Sequence, residues 1–266
     1  MLARHQVTRQ GQGEVTLLFL HGFGTDQTIW RFVAPALESR AQTLTYDHAG
    51  CGAALAAWDV RRHASLQGYA QDLIDILDQA GLERVLCVGH SIGSIIAMLA
   101  ALQQPARFER IVALSASPCF VNHPPDYLGG FERSDLDALF QLMQSNHFGW
   151  AQFLAPKAIG EGSPLALTQQ FEEGLCSLEP SVAQHFARLV FLVDVREELQ
   201  RLSVPTLLVQ CLRDSIAPAA VGRWLAAHLP QSRLIELAVS GHCPHISHPH
   251  LILQILEEVL DARSGA

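Results

Sequence analysis

The residues of this chain that could do chemistry together are a serine, a carboxylate and a histidine, each ending a short apolar run. Ser91 sits in Val88-Gly89-His90-Ser91-Ile92-Gly93, between an apolar run over residues 84–88 and a helix-like run over 91–103. Strand, G-x-S-x-G, helix is the context of a nucleophile elbow, a sharp, strained turn that lifts a serine hydroxyl above the sheet edge. Gly89 and Gly93 suit it, because a side chain would clash where strand and helix cross and because glycine tolerates unusual dihedrals. A serine hydroxyl is a poor nucleophile until a base takes its proton. The chain must therefore also supply a base and a group to orient it.

In such an architecture the acid follows the serine, and the histidine follows the acid. The run Leu207-Leu208-Val209-Gln210-Cys211-Leu212-Arg213-Asp214 ends in a carboxylate, so Asp214 is the expected acid. The turn after the preceding strand reads Ser115-Ala116-Ser117-Pro118 and holds no carboxylate; Asp194 has only a hinge context. The base is expected at His242, in Ser240-Gly241-His242-Cys243-Pro244-His245, after the last apolar run. An imidazole near neutral pKa can accept the serine proton and return it to a leaving group. The rival reading is a metal site, since His242, Cys243, His245, His248 and His250 lie within nine residues. Their spacings match no common zinc pattern, and Pro244 and Pro249 interrupt any helix that would align them, so no metal is expected.

Attack by Ser91 would create an oxyanion, which needs preorganised donors. The backbone N–H of Ile92, the residue after the nucleophile, is one. The second is expected at Phe23, in His21-Gly22-Phe23-Gly24, where flanking glycines let the N–H turn toward Ser91. Asp47-His48-Ala49-Gly50-Cys51-Gly52 ends a strand in a glycine-rich turn and reads as structural. The G-x-x-x-x-G-K pattern of a phosphate loop is absent, and no cofactor is expected.

The elements that must position these residues are legible as alternation. Apolar runs at 16–20, 43–46, 84–88, 111–114, 206–210 and 234–237 read as strands. Helical spacing covers 68–80, with Tyr69, Leu73, Ile76, Leu77 and Ala80 on one face, and returns at 219–228 and 251–260. Near-continuous apolar strands alternating with helices predict an α/β fold with a mostly parallel, doubly wound sheet. The alternation fails between about 124 and 199, where four helical segments (135–145, 147–154, 165–175, 181–191) replace strands. That predicts a core of 1–123 and 200–266 with an all-helical lid at 124–199, inserted after a sheet strand. Phe131, Phe140, Phe148, Trp150, Phe153, Phe171, Phe186 and Phe191 crowd into the lid. Each either holds the lid together or lines a pocket beneath it.

Composition narrows the partners. The chain has 266 residues, 49% of them hydrophobic, and a formal net charge of −8. No basic patch suggests nucleic acid. No apolar stretch is long enough to span a membrane. The N-terminus lacks the apolar core of a signal peptide. Six scattered cysteines without a C-x-x-C read as reduced thiols, so a cytoplasmic location is expected.

These residues together resemble the α/β-hydrolase superfamily, over nearly the whole chain. More narrowly they are similar to the group containing the bacterial stress-signalling protein RsbQ and the plant strigolactone and karrikin receptors. The specific pieces are His21-Gly22-Phe23-Gly24-Thr25-Asp26-Gln27, Gly89-His90-Ser91-Ile92-Gly93, Gly129-Gly130-Phe131-Glu132 and Gly241-His242-Cys243-Pro244-His245-Ile246-Ser247-His248-Pro249. The resemblance implies a Ser91–His242–Asp214 triad, an oxyanion hole at the Phe23 and Ile92 amides, and a four-helix lid. It also implies a hydrophobic pocket lined by Phe131, Val190 and Phe191. It implies slow hydrolysis of a small hydrophobic ester or lactone coupled to sensing, with a PAS-containing regulatory protein as partner; a plain carboxylesterase is the alternative. Ala53-Ala54-Leu55 departs from the group, where relatives tend to carry His or Ser and then Asp.

Overall fold

The computed structural model describes residues 1–264 of the chain. One sheet of seven strands forms its frame: β1 (Thr8–Gly11), β2 (Thr16–Leu20), β3 (Gln42–Thr45), β4 (Val85–His90), β5 (Phe108–Leu114), β6 (Thr206–Arg213) and β7 (Ser232–Ser240). The spatial order is β1-β3-β2-β4-β5-β6-β7. All neighbours from β3 to β7 run parallel, and β1 alone is antiparallel. β2 and β4 are buried at every residue. Strands covered on both faces lose the apolar–polar alternation, which is why their sequences read as unbroken apolar runs. β1 is a strand that the apolar runs do not predict. It reads Thr-Arg-Gln-Gly and is almost wholly exposed. Its stability comes from pairing with β3, and polar residues on such an edge discourage further strand addition.

Among the described residues eleven α-helices accompany the sheet: α1 (Ala34–Leu37), α2 (Leu66–Gln79), α3 (Ile92–Gln103), α4 (Arg133–Ser145), α5 (His147–Ile159), α6 (Leu165–Ser177), α7 (Pro180–Leu192), α8 (Arg196–Leu199), α9 (Ala219–His228), α10 (Pro244–Ser247) and α11 (Pro249–Ser264). α2 buries the single face expected from its spacing, with Tyr69, Leu73, Ile76 and Leu77 inward. α3 is different. It is apolar all round and buried from Ile92 to Ala101, as befits a central helix.

α4 to α7 stand between β5 and β6. The chain leaves and returns through two segments joined to each other: Cys119 bridges Asp194, and the Val195 N–H donates to the Pro118 carbonyl at 3.0 Å. α4 begins two residues before the expected start, because Glu132 and Asp135 form a reciprocal capping box. α5 runs past the expected end at Leu154 to Ile159, with Pro156 inside it. Proline removes one helical N–H. Here both Pro156 and Gln152 are exposed, so the Gln152 carbonyl that loses its donor faces water. Phe23 from the core locks into this insertion, its ring 5.9 Å from Trp150, 5.7 Å from Phe186 and 6.0 Å from Phe191. All six cysteines are free. Among the described residues no helix is long and apolar enough to cross a membrane.

Candidate active site

Ser91 joins β4 to α3 with φ 52° and ψ −120°. A non-glycine residue at positive φ is strained and has to be held there by its surroundings. The Ser91 N–H donates to the Leu114 carbonyl of β5 at 2.8 Å, and its own carbonyl accepts from Ser94 N at 3.0 Å. A Cβ on Gly89 would lie 2.5 Å from the Ser94 Cα, and one on Gly93 would lie 2.5 Å from the His21 carbonyl oxygen. Both glycines therefore serve close approach. The unusual dihedral falls on Ser91 itself, and neither glycine has a positive φ.

Asp214 follows β6 and His242 follows β7. Asp214 Oδ2 accepts from His242 Nδ1 at 2.7 Å. The other oxygen, Oδ1, accepts from the Ile216 and Ala217 amides at 2.8 and 3.0 Å. With a longer bond from Gln210 Nε2 at 3.4 Å, four donors fix the carboxylate, whose side chain is fully buried. An ionised carboxylate only accepts, so a neutral His242 carries its proton on Nδ1 and has its lone pair on Nε2. Asp194, the other acid weighed, pairs with Arg196 at 2.8 and 2.6 Å. The Arg196 guanidinium holds its carboxyl below the usual range.

The loop bearing Phe23 lies against the start of α3 through that His21–Gly93 contact. His21 and His48 pin this loop. His21 Nε2 accepts from the His48 N–H at 2.9 Å, and His48 Nε2 donates to the His21 carbonyl at 3.0 Å. Burial lowers both pKa values, so both rings are neutral. Ile92 is the first residue of α3, and the first N–H groups of a helix have no intrahelical acceptor. Asp47 is occupied structurally, accepting from the Gln27 and Ala53 amides, each at 2.9 Å. Position 53, where the chain departs from its group, thus contributes a backbone donor.

A small, narrow cavity brings Ser91 and His242 together. Ser91, His242, His90, Phe23, Phe120 and Ile216 border it from the core; Leu154, Ala158, Phe171, Val190 and Phe191 border it from the insertion. Phe131 is not among its lining residues. It packs one layer behind, 6.4 Å from Phe120 and 5.9 Å from Phe191 between ring centroids.

Known proteins share this arrangement of chain. Residues 17–255 match the alpha/beta hydrolase family. The chain belongs to that family. It is 34% identical to the karrikin insensitive 2 receptor CA of Petunia hybrida, covering 95% of this chain and 94% of that one. It is also 34% identical to the strigolactone esterase RMS3 of Pisum sativum, covering 98% of both. A solved hydrolase from Oleispira antarctica superposes with a TM-score of 0.95 at 39% identity, over 98% of this chain and 96% of that one. The chain is accordingly a hydrolase of the carboxylesterase and lactonase type, in the receptor-like group.

At the cavity wall and behind it the hydrolase carries a group of histidines that motif reading leaves unexplained. His90 Nε2 donates to the His242 carbonyl at 3.0 Å. His245 packs between His90 and Trp30 with tilted rings, their centroids 4.4 and 4.6 Å away. Burial, then the neighbouring His242, pushes the His245 pKa down to about 3. His90 is held well below its ordinary value by burial and by His245. His248 bonds Ser247 Oγ at 2.9 Å. The lining residues Phe120, Leu154, Ala158 and Ile216 escape sequence reading, and Phe171 is singled out there only as one of eight aromatics. The available signals were the i, i+4 spacing of Leu154 and Ala158 and the place of Ile216 two residues after the acid.

Proposed function

We propose that Ser91, His242 and Asp214 form an acyl-transfer triad acting on a small, uncharged, hydrophobic ester or lactone. The observation that carries the reading is the 2.7 Å hydrogen bond from His242 to Asp214, made beside a cavity that Ser91 and His242 both line. Ser91 Oγ attacks the carbonyl carbon while its proton passes to His242 Nε2. The Phe23 and Ile92 amides receive the oxyanion. The tetrahedral intermediate expels the alcohol, which takes the proton from His242, and the acyl group remains on Ser91. Water, deprotonated by His242, then releases the acid. Asp214 keeps the imidazole in its tautomer and stabilises its charged form. The cavity lining contains no Lys, Arg, Asp or Glu, and a charged substrate would be desolvated there without a partner. Val190 and Phe191 bind substrate directly, with Phe131 as their backing. The test is hydrolysis of p-nitrophenyl esters by the folded Ser91→Ala protein; retained activity overturns the reading.

We further infer that residues 124–199 act as a lid whose outer face meets a regulatory protein in the cytoplasm, of the PAS-containing kind. Phe148, Phe153 and Leu165 are 64, 52 and 70% exposed on α5 and α6, and several large apolar side chains exposed on one insertion favour an interaction surface. The petunia relative is named a receptor and the pea relative an esterase, so sensing and hydrolysis both fit this group. Phe148→Ser and Phe153→Ser should weaken binding of a PAS-containing protein from the same cells and spare ester hydrolysis. If no such protein binds in the presence or absence of ester, the chain is a plain carboxylesterase.

A further inference from the structure

The last carbonyls of a helix have no partner within it and take one from water or from another element. At the end of α5 the partner is the loop that carries His242. The Ala158 carbonyl accepts from the His242 N–H at 2.7 Å and from the Cys243 N–H at 3.1 Å. The next turn adds a bond from the Glu161 N–H to Ser240 Oγ at 3.3 Å. The two backbones touch without side chains between them. A Cβ on Gly160 (φ +88°) would lie 2.5 Å from both Gly241 N and the Ser240 carbonyl carbon; one on Gly241 (φ +102°) would lie 2.3 Å from the Ile159 carbonyl oxygen.

We propose that Gly160 and the Ala158 carbonyl are positioning residues for His242, so that the insertion, as well as the core, sets the catalytic imidazole. The proposal rests on the triad reading above. His242 has three anchors: its Nδ1 on Asp214, its carbonyl on His90 and its amide on Ala158. The first two come from the core and the third from α5. Its Nε2 has to serve both Ser91 Oγ and the leaving oxygen, and a displacement of about 1 Å at such a centre can cost about 10²-fold in rate. Leu154 and Ala158 also line the cavity. Whatever fills the cavity therefore presses on the helix that holds the base, which gives ligand shape a direct route to the rate.

Gly162 supplies an internal control. It has φ +82° with nothing within 4 Å of an added Cβ, so alanine there carries the left-handed strain without the collision. The experiment measures kcat and KM for p-nitrophenyl acetate with the wild type, Gly160→Ala, Gly162→Ala and Ser91→Ala, together with amide hydrogen exchange at His242 and Cys243. The expected result for Gly160→Ala is a kcat lower by about 10²-fold, KM little changed, and faster exchange at both amides. Gly162→Ala should keep the wild-type kcat and exchange. Equal kcat and exchange in the two glycine variants overturns the proposal. Full activity in Ser91→Ala overturns the triad reading instead. If Gly160→Ala does not fold, Ser240→Ala loosens the same junction; it should lower kcat about threefold and speed exchange at His242, and no change in either overturns the proposal.

Discussion

All polar side chains lining the cavity come from the sheet core, whereas α5, α6 and α7 contribute Leu154, Ala158, Phe171, Val190 and Phe191, side chains of carbon alone. The two regions also hold their residues differently. In the core, backbone bonds do the holding: Ser91 is tied to β5 by its amide, and Asp214 is gripped by two amides of its own turn. In the insertion, packing does it, through rings such as Phe23 against Trp150, Phe186 and Phe191. The proposed chemistry thus falls on the sheet core, and the insertion supplies apolar wall. The exception is the Ala158 carbonyl, a backbone group of the insertion bonded to the His242 loop.

That division can be broken at several points. The largest effect is expected from the core. Ser91→Ala should lower kcat by about 10⁶-fold, with an unchanged melting temperature. Asp214→Asn should lower it by about 10⁴-fold by favouring the wrong imidazole tautomer. Asp194→Asn, which weakens the pairs with Arg196 and His123, should leave kcat within about twofold, since ion pairs open to solvent contribute little. Equal losses at Asp214 and Asp194 would dissolve the distinction between site and hinge.

Insertion variants should change selectivity more than rate. Phe171→Ala removes a ring from the cavity wall. Each acyl methylene that the new space accommodates should then raise relative kcat/KM about fourfold, read on p-nitrophenyl acetate, butyrate and hexanoate. A flat profile would mean that the insertion does not shape the cavity in solution.

The smallest effect on rate at neutral pH is expected from His245→Phe, behind the site. Folded His245 titrates at about 3 against an ordinary 6.5. Between those values the unfolded chain takes up a proton that the folded chain refuses, so stability falls as pH falls, by up to about 1.4 kcal/mol per pH unit. Above 6.5 the histidine imposes no such loss. The variant should match the wild type in melting temperature at pH 8 and lose less at pH 4.5. A parallel loss in both proteins would show that this ring is not an acid-sensitive point.

Which parts were legible follows from how each was specified. Ser91, Asp214 and His242 each terminate a strand, so an apolar run pointed at each. Phe131 and Phe171 carry no such marker: both are phenylalanines of the insertion, yet Phe171 borders the cavity and Phe131 stands behind it. Phe148 faces solvent with the same side chain. The pocket is assembled from segments distant in the chain, and only three-dimensional packing distinguishes these rings. β1 was hidden because an exposed edge strand needs no apolar pattern. The true end of α5 was hidden because Pro156 signals a stop unless the orphaned carbonyl can reach water. That concealed end is also where Ala158 meets the His242 loop.

The most direct test of the central claim is to find the covalent intermediate. A p-nitrophenyl alkylphosphonate reacts with an activated serine to give a stable phosphonyl adduct with loss of p-nitrophenol. Intact-mass and peptide mass spectrometry would then locate the adduct. The account predicts one phosphonyl group on the peptide containing Ser91 and none on Ser91→Ala, with Asp214→Asn labelled far more slowly. An adduct on Ser115 or Ser117, or ester turnover with no Ser91 labelling, would contradict it.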